Sequence, residues 1–320
     1  MLASLLILPY LFHPLTLSRR AEKVYLSTYF VDDGEAGVYL AESVDGLDWH
    51  PLVDPNIPLL KPEVGGKIMR DTCVFQGPDL KWTAVWTSGG FEQGIGLARS
   101  EDLVHWSSES EVPVMQGSGA INAWAPEITY DNKARDYVIF WSSTIPGKYP
   151  DLQNDDGDFG PNHVPLNHRY YYTTTTDFVN YSASKLLWDP GFDCIDATLL
   201  HDRNDWLMFG KNETKSPIPA KYIFVAKGPS PLGPFKIIDP KITGNYWSEG
   251  PTSIKVGKDY KVYFDEYTEG RWGMVSSKDL IHWADKSPIL HMVHGARHGT
   301  VFVEPLSFAN QLAKSLQASN

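Results

Sequence analysis

The chain has 320 residues, a net charge of −11 at neutral pH and 13% aromatic side chains, among them 11 Trp and 16 Tyr. The negative charge argues against a phosphate-binding surface and so against nucleic acid as a partner; a neutral, hydroxyl-rich ligand stacked on aromatic rings fits better. The 26 Gly and 23 Pro cut the sequence into short pieces, the pattern of many short strands and tight turns, and the length suffices for one large all-β core.

Met1 to Phe12, MLASLLILPYLF, is apolar enough for the core of a secretory signal, though no basic residue precedes it. It is too short, and too interrupted by Pro9, to span a membrane. Arg19 and Arg20 follow, where a cleavage site would be small and uncharged. Residues 1–21 are read as a signal or leader segment, which implies a secreted or periplasmic protein. A mis-assigned start, with a cytoplasmic protein, is the alternative. No later segment can span a membrane. Residues 22–320 are expected to form a single domain and a monomer. Cys73 and Cys194 make no disulfide framework and are expected as buried free thiols.

Two motifs then repeat in phase along the chain. The first is Ser/Thr-x-Asp followed shortly by an aromatic residue. It occurs at Ser43-Val44-Asp45 with Trp49, Ser100-Glu101-Asp102 with Trp106, Thr175-Thr176-Asp177 with Tyr181, and Ser277-Lys278-Asp279 with Trp283. A degenerate copy runs from Ser230 to Phe235. Such a turn lets the polar side chains bond backbone amides while the aromatic packs back on the sheet. The second motif is a short strand with a polar residue at its head: Asp71, Glu127, Asp196, Glu249 and His298, spaced by 49–69 residues. Each unit is large enough for one four-stranded propeller blade. The unit at His298 lacks chain after it, and the strands Val24 to Phe30 and Gly37 to Glu42 lack a head strand before them. Joining the two predicts a five-bladed β-propeller closed by pairing of its N- and C-terminal strands. Leu306 to Leu316 is expected as a short surface helix or tail. The longest spacing holds an insertion, Thr144 to Asn167, which lacks the Gly and Glu placement of a helical calcium loop and is read as a solvated loop near the ligand-binding mouth.

In a propeller the innermost strands surround one channel. The five head positions are therefore expected as a ring at its mouth. Like charges so gathered raise each other's pKa, a cost tolerated more often for function than for folding. Asp71 or Asp196 alone reads as a turn cap or a surface charge; three acids at one phase of the repeat read as a catalytic set. Two carboxylates across a bond, one protonated and one ionised, hydrolyse glycosides, and a third can hold the acid's pKa high. Glu127 is expected first as a substrate contact, then as a fourth acid or an ion-pair partner. Trp124 and Trp247 could stack on a sugar or fill space between blades. Arg297 could bind a sugar hydroxyl or pair with an acid. His298 is either a satisfied buried histidine or the neighbour of a channel ion or water.

The stretches Arg70-Asp71-Thr72-Cys73-Val74, Asp193 to Thr198 and Ser248-Glu249-Gly250-Pro251, with Ala123 to Glu127 and Arg297 to Thr300, resemble glycoside hydrolase family 43. That family is a set of five-bladed propellers, and the resemblance covers about residues 22–305. It implies an inverting hydrolase with Asp71 as general base, Glu249 as general acid and Asp196 tuning and orienting Glu249. No cofactor is implied for the reaction; a structural calcium beside His298 in the channel is. Two departures bear on the sugar rim: Thr72 stands where the family usually has Pro, and Ser88-Gly89-Gly90-Phe91 replaces an aromatic pair. The expected substrate is an oligo- or polysaccharide from a plant or microbe that loses a terminal α-L-arabinofuranose. β-D-Galactofuranose and β-D-xylose are the alternatives, as is a propeller that binds carbohydrate without cutting it. A fructosidase would need a Trp-x-Asn-Asp-Pro-type nucleophile motif and a sialidase an arginine triad. The first is absent, and the strand heads offer only Arg70 and Arg297.

Overall fold

A computed structural model describes residues 23–149 and 159–319. The leader expected over 1–21 and the acidic middle of the 144–167 insertion lie outside the described residues. Among the described residues, twenty strands form five four-stranded antiparallel sheets. Blade two is β4 (Arg70–Gln76), β5 (Trp82–Thr87), β6 (Ile95–Ser100) and β7 (Ser110–Val112). Blade three is β8 (Trp124–Asp131), β9 (Asp136–Thr144), β10 (His168–Thr175) and β11 (Lys185–Trp188). Blade four is β12 (Cys194–Asp202), β13 (Asp205–Asn212), β14 (Tyr222–Gly228) and β15 (Lys236–Asp239). Blade five is β16 (Glu249–Val256), β17 (Asp259–Glu266), β18 (Arg271–Ser277) and β19 (Ala284–Asp285).

Blade one is assembled from both ends of the described chain. Strands β1 (Lys23–Phe30), β2 (Val38–Ser43) and β3 (His50–Pro51) take β20 (Val301–Pro305) as their innermost strand. Leu26 stands opposite Phe302 in the β1–β20 pairing. This is the expected closure: an edge that would otherwise expose a row of backbone donors and acceptors is consumed by the other end of the chain. His298 itself falls three residues before β20, in the segment that leads into it.

The second strands read as near-continuous apolar runs because neighbouring blades cover both faces. Trp82–Thr87 is buried throughout, and the core divides into clusters that each bridge adjacent blades. The Ser/Thr-x-Asp turns do what their chemistry suggests. The Ser43 hydroxyl accepts the Gly46 N–H at 2.9 Å, and Asp45 Oδ1 accepts those of Leu47 and Asp48 at 2.8 and 3.0 Å. The same bonds recur at Ser100/Asp102, Thr175/Asp177 and Ser277/Asp279. The degenerate fourth copy lacks the acid, and Ser230 donates instead to the Gly233 carbonyl at 2.7 Å.

The C-terminal run is a helix, α1 (Leu306–Ser319), and it is not a surface appendage. Ala309, Leu312 and Leu316 are buried in the core of the first two blades, and Phe302 and Phe308 lie 5.4 and 5.9 Å from the Trp82 ring. The 309/312/316 spacing puts these side chains on one face. Leu26→Ala, at the fully buried seam of blade one, is expected to destabilise the fold by about 2–5 kcal/mol. Ile281→Ala, at a side chain 70% exposed, should change it by less than about 0.5 kcal/mol. Urea-unfolding midpoints check both.

Candidate active site

Four inner strands begin with the same defect. In β4, β8, β12 and β16 the pairing with the second strand slips by one residue at Arg70/Cys73, Trp124/Glu127, Ile195/Thr198 and Glu249/Thr252. Each slip holds a residue with positive φ: Asp71 (+55°), Ala125 (+47°), Asp196 (+54°) and Gly250 (+57°). These are β-bulges, which turn a side chain that the pleat would send elsewhere. Asp tolerates the left-handed region better than most residues. At Gly250 a Cβ would come within 2.3 Å of the His298 ring, so only glycine fits.

The bulges correct the register expected for the ring. Asp71, Ala125, Asp196 and Gly250 are equivalent, and Arg70, Trp124, Ile195 and Glu249 are their equivalent predecessors. Glu127 is two residues further along and belongs with Cys73 and Thr198, deeper in the channel. Thr198 accordingly donates to Glu127 Oε2 at 3.1 Å, and the Cys73 thiol bonds the same carboxyl. Glu127 does not line the mouth, so its expected role as a substrate contact has no geometric support.

The mouth is a cavity of about 210 Å³ whose wall includes Phe30, Arg70, Asp71, Thr87, Trp124, Asp196, Glu213, Glu249, Arg297 and His298. Of the expected residues, Trp247 joins Glu127 outside this wall; its ring lies 6.1 Å from that of Tyr267. Trp124 presents its ring between Phe91 (5.9 Å) and His168 (4.9 Å), fixed by a 2.5 Å bond from its Nε1 to the Gly90 carbonyl. The described end of the insertion stands on this side, since the Cβ position of Gly160 is 3.3 Å from the Phe91 ring. A hollow of about 640 Å³ on the outer edge of blade five is larger, but its histidine, His282, is tied at 2.8 Å to Asp279, one of the two acids that line it.

The acids of the mouth are in different electrostatic states. Burial pushes the Asp71 carboxyl up, but the hydrogen bond and charge of His298 at 3.1 Å and the 2.7 Å bond from Thr87 hold it below its ordinary value. His298 responds in the opposite sense: burial pushes it down, and Asp71 raises it to about 9. Asp196 is raised to about 7, chiefly by burial and by the Glu249 charge beyond it; its Oδ2 accepts the Gly250 N–H at 3.0 Å. Glu127 is also raised to about 7 by burial. Glu249 is held below the ordinary range. Burial opposes this, but Lys211 Nζ donates to Oε2 and Arg297 Nη2 to Oε1, each at 2.9 Å. Arg297 also binds Asp265, whose carboxyl burial raises to about 6.

Lys211, Glu213, Asp265 and Thr87 escaped the sequence reading. They sit at or just beyond the ends of second strands, which pair with the bulged heads: Thr87 with Arg70, Lys211 with Ile195, Asp265 with Glu249. A signal existed, in the abrupt charge that ends the apolar runs WLMFGK and VYFDE. His298 turns its Nδ1 to Asp71, and among the described residues no group of three His, Cys, Asp or Glu side chains could hold a metal ion.

Residues 21–307 match a family model described as a probable glycosyl hydrolase domain, related to family 43. A curated alpha-L-arabinofuranosidase of Bifidobacterium longum subsp. longum is 27% identical over 212 residues, 57% of this chain and 19% of that protein. The chain thus spans about a fifth of the length of that relative. A thermostable family-43 glycoside hydrolase of known structure superposes with a TM-score of 0.56 at 17% identity, over 78% of this chain and 85% of that one. The alpha-L-arabinofuranosidase from Lactobacillus brevis gives 0.52 at 15% identity, over 73% and 74%. The structural likenesses show the five-bladed fold.

Because Asp196 has its folded pKa raised, the folded protein binds more protons than the unfolded chain between about pH 3.9 and about 7. This group's contribution to stability therefore falls as pH rises through that window. Asp196→Asn removes the titration, so the stability of the variant relative to wild type should climb from pH 4 to pH 7.5. Denaturant unfolding across that range measures it; a difference that does not vary with pH would contradict the raised value.

Proposed function

The chain belongs to the family-43-related glycosyl hydrolases, and on that footing we propose that it removes single terminal sugars from a glycan with inversion at the anomeric carbon. One observation carries the reading. Three carboxyl groups line one small cavity: Asp71, held below its ordinary pKa by His298 and Thr87, and the pair Asp196 and Glu249, in which burial and the Glu249 charge raise Asp196 to about 7 while Lys211 and Arg297 hold Glu249 down. That is the division of labour inverting hydrolysis needs.

Asp71 is the base. Its Oδ2 takes the Thr87 hydroxyl and its Oδ1 faces His298. It draws a proton from water as that water attacks the anomeric carbon. Glu249 is the acid that protonates the leaving oxygen. In the free protein both its oxygens are held by cations, and the proton of the pair rests on Asp196. Sugar entry must free Glu249 of one cation. Arg297, 35% exposed and on the cavity wall, can turn to a sugar hydroxyl; Lys211, 1% exposed, cannot. Asp196 is then the source and the keeper of the proton.

The size of the cavity, about 210 Å³, is below the roughly 300–1,000 Å³ of drug-sized ligand sites and suits one sugar residue at a chain end. Trp124 offers the apolar face on which a sugar ring stacks. α-L-Arabinofuranose is the first choice of sugar, supported by the name of the Bifidobacterium relative; β-D-galactofuranose and β-D-xylose follow. The test is release of 4-nitrophenol from the corresponding aryl glycosides, with an arabinan alongside. One sugar should be released, with the inverted anomer seen first by proton NMR. Asp71→Asn on any substrate and Glu249→Gln on the arabinan should each lower kcat by about 10²–10⁴-fold. A folded protein that releases none of the sugars would refute the proposal.

A further inference from the structure

The second strands brace the mouth by a repeated rule. Thr87, Ser142, Lys211 and Asp265 hold equivalent places, opposite Arg70, Trp124, Ile195 and Glu249. Each reaches the head of the next blade. Thr87 and Ser142 accept the N–H groups of Ala125 and Asp196 at 2.8 and 3.2 Å, and Asp265 accepts from Arg297. Lys211 is the member of the four that meets the next head with a cation, its Nζ 2.9 Å from Glu249 Oε2.

This ammonium is enclosed. Glu213 Oε2 lies 2.6 Å from it, the centroid of the Tyr267 ring lies 4.6 Å from it, and Glu213 is itself tied to Lys221. A lysine buried to this degree is rare unless it is paired. Arg297, which holds the other oxygen of Glu249, is by contrast partly exposed. The two oxygens of Glu249 are therefore not equivalent: one is clamped from inside the fold and the other is held from the cavity side.

We propose that Lys211 is a positioning residue for the proton donor: it clamps Glu249 Oε2, so that Oε1 is the oxygen presented to the glycosidic bond. This rests on the hydrolase reading above. In the step, the proton leaves Oε1 for the glycosidic oxygen as the bond from that oxygen to the anomeric carbon breaks and its electron pair stays with the oxygen. The water deprotonated by Asp71 forms the new bond to carbon, and the Lys211 ammonium neutralises the carboxylate that donation leaves behind. The groups facing Glu249 are Lys211 of β13, Arg297 and His298 of the segment before β20, Asp196 of β12, Asp265 of β17 and Tyr267 beyond it. Removing Lys211 takes away a cation, favours the protonated form of Glu249, and moves the alkaline limb of kcat/KM to higher pH.

The experiment compares wild type, Lys211→Met and Lys211→Arg on glycosides with leaving groups from 4-nitrophenol to a simple alcohol. Lys211→Met should lose about 100-fold or more on the alcohol glycoside, where acid catalysis matters most, and less than about 10-fold on the nitrophenyl glycoside. Its alkaline limb should move up. Lys211→Arg, which keeps the charge, should leave the limb in place and recover most of the loss. An equal loss with every leaving group and an unmoved limb would overturn the proposal. If the Met variant does not fold, Lys211→Gln, which removes the charge but keeps a polar head, decides: a loss that grows as the leaving group worsens, with a raised limb, supports the clamp, and an equal loss with every leaving group refutes it. Carboxyl carbon NMR, with the Glu249 signal assigned by its loss in Glu249→Gln, gives a readout independent of turnover. The Glu249 midpoint should rise in Lys211→Met, and a midpoint that stays put sinks the clamp. A wild type that cuts no glycoside while the midpoint still rises would count against the hydrolase reading and leave the clamp supported.

Discussion

One extra residue at the head of each of four inner strands governs the functional end of this protein. Without the bulges, strict alternation would send Asp71 and Asp196 to the opposite face of their strands from the one the mouth needs. With them, a residue in the left-handed region stands at the head of each strand, and its predecessor flanks the cavity. The cost of such backbone conformations, of order 1–3 kcal/mol each, is tolerated where the surrounding structure over-determines them. Here three heads are fixed by a side chain of the preceding blade: Thr87 holds the amide of Ala125, Ser142 that of Asp196 and Asp196 that of Gly250, while Asp71 is held by Thr87 of its own blade.

The same neighbour-to-neighbour bracing solves the charge problem. Six carboxyl groups, Asp71, Glu127, Asp196, Glu213, Glu249 and Asp265, are gathered at or beneath the mouth. Neutralisation takes three forms. Asp71, Glu213 and Glu249 are paired with His298, with Lys211 and Lys221, and with Lys211 and Arg297. Asp196 and Glu127 are pushed by burial toward the protonated form. Asp265 shares Arg297 with Glu249. Breaking one member of such a buried set is costly, about 3–5 kcal/mol, because the partner is left charged and unsolvated. The arrangement thus separates the acids: Asp71, Glu213 and Glu249 have cations in contact, whereas Asp196 and Glu127, raised by burial, accept from uncharged donors, the Gly250 amide and the Thr198 hydroxyl.

The fold itself was legible in the sequence to a high degree. Two motifs in phase gave the blade count, the spare strands at the two ends gave the closure, and the polar heads gave the mouth. The Ser/Thr-x-Asp turns were readable because their hydrogen bonds are local. The helix Leu306–Ser319 was legible as a helix but not as part of the core, because periodicity shows which face is apolar and not what covers it. Glu127 was misplaced for a related reason: a head motif aligned by residue type ignores a bulge, and here two residues of offset lowered the carboxyl into the channel.

Sequence alone determined what repeats locally: strand, turn, period, and the residue types that can lie at a strand head. Tertiary structure decided which of those heads share a level and which cations they meet. Lys211 is four residues from Leu207 in an apolar strand, and nothing in that run points to Glu249, 38 residues away and in the next blade. The reason is physical. Backbone hydrogen bonding and side-chain alternation act over a few residues and leave their period in the sequence. The pairing of a buried charge is satisfied by whatever partner packing brings within 3 Å, and that is fixed only when the five blades close.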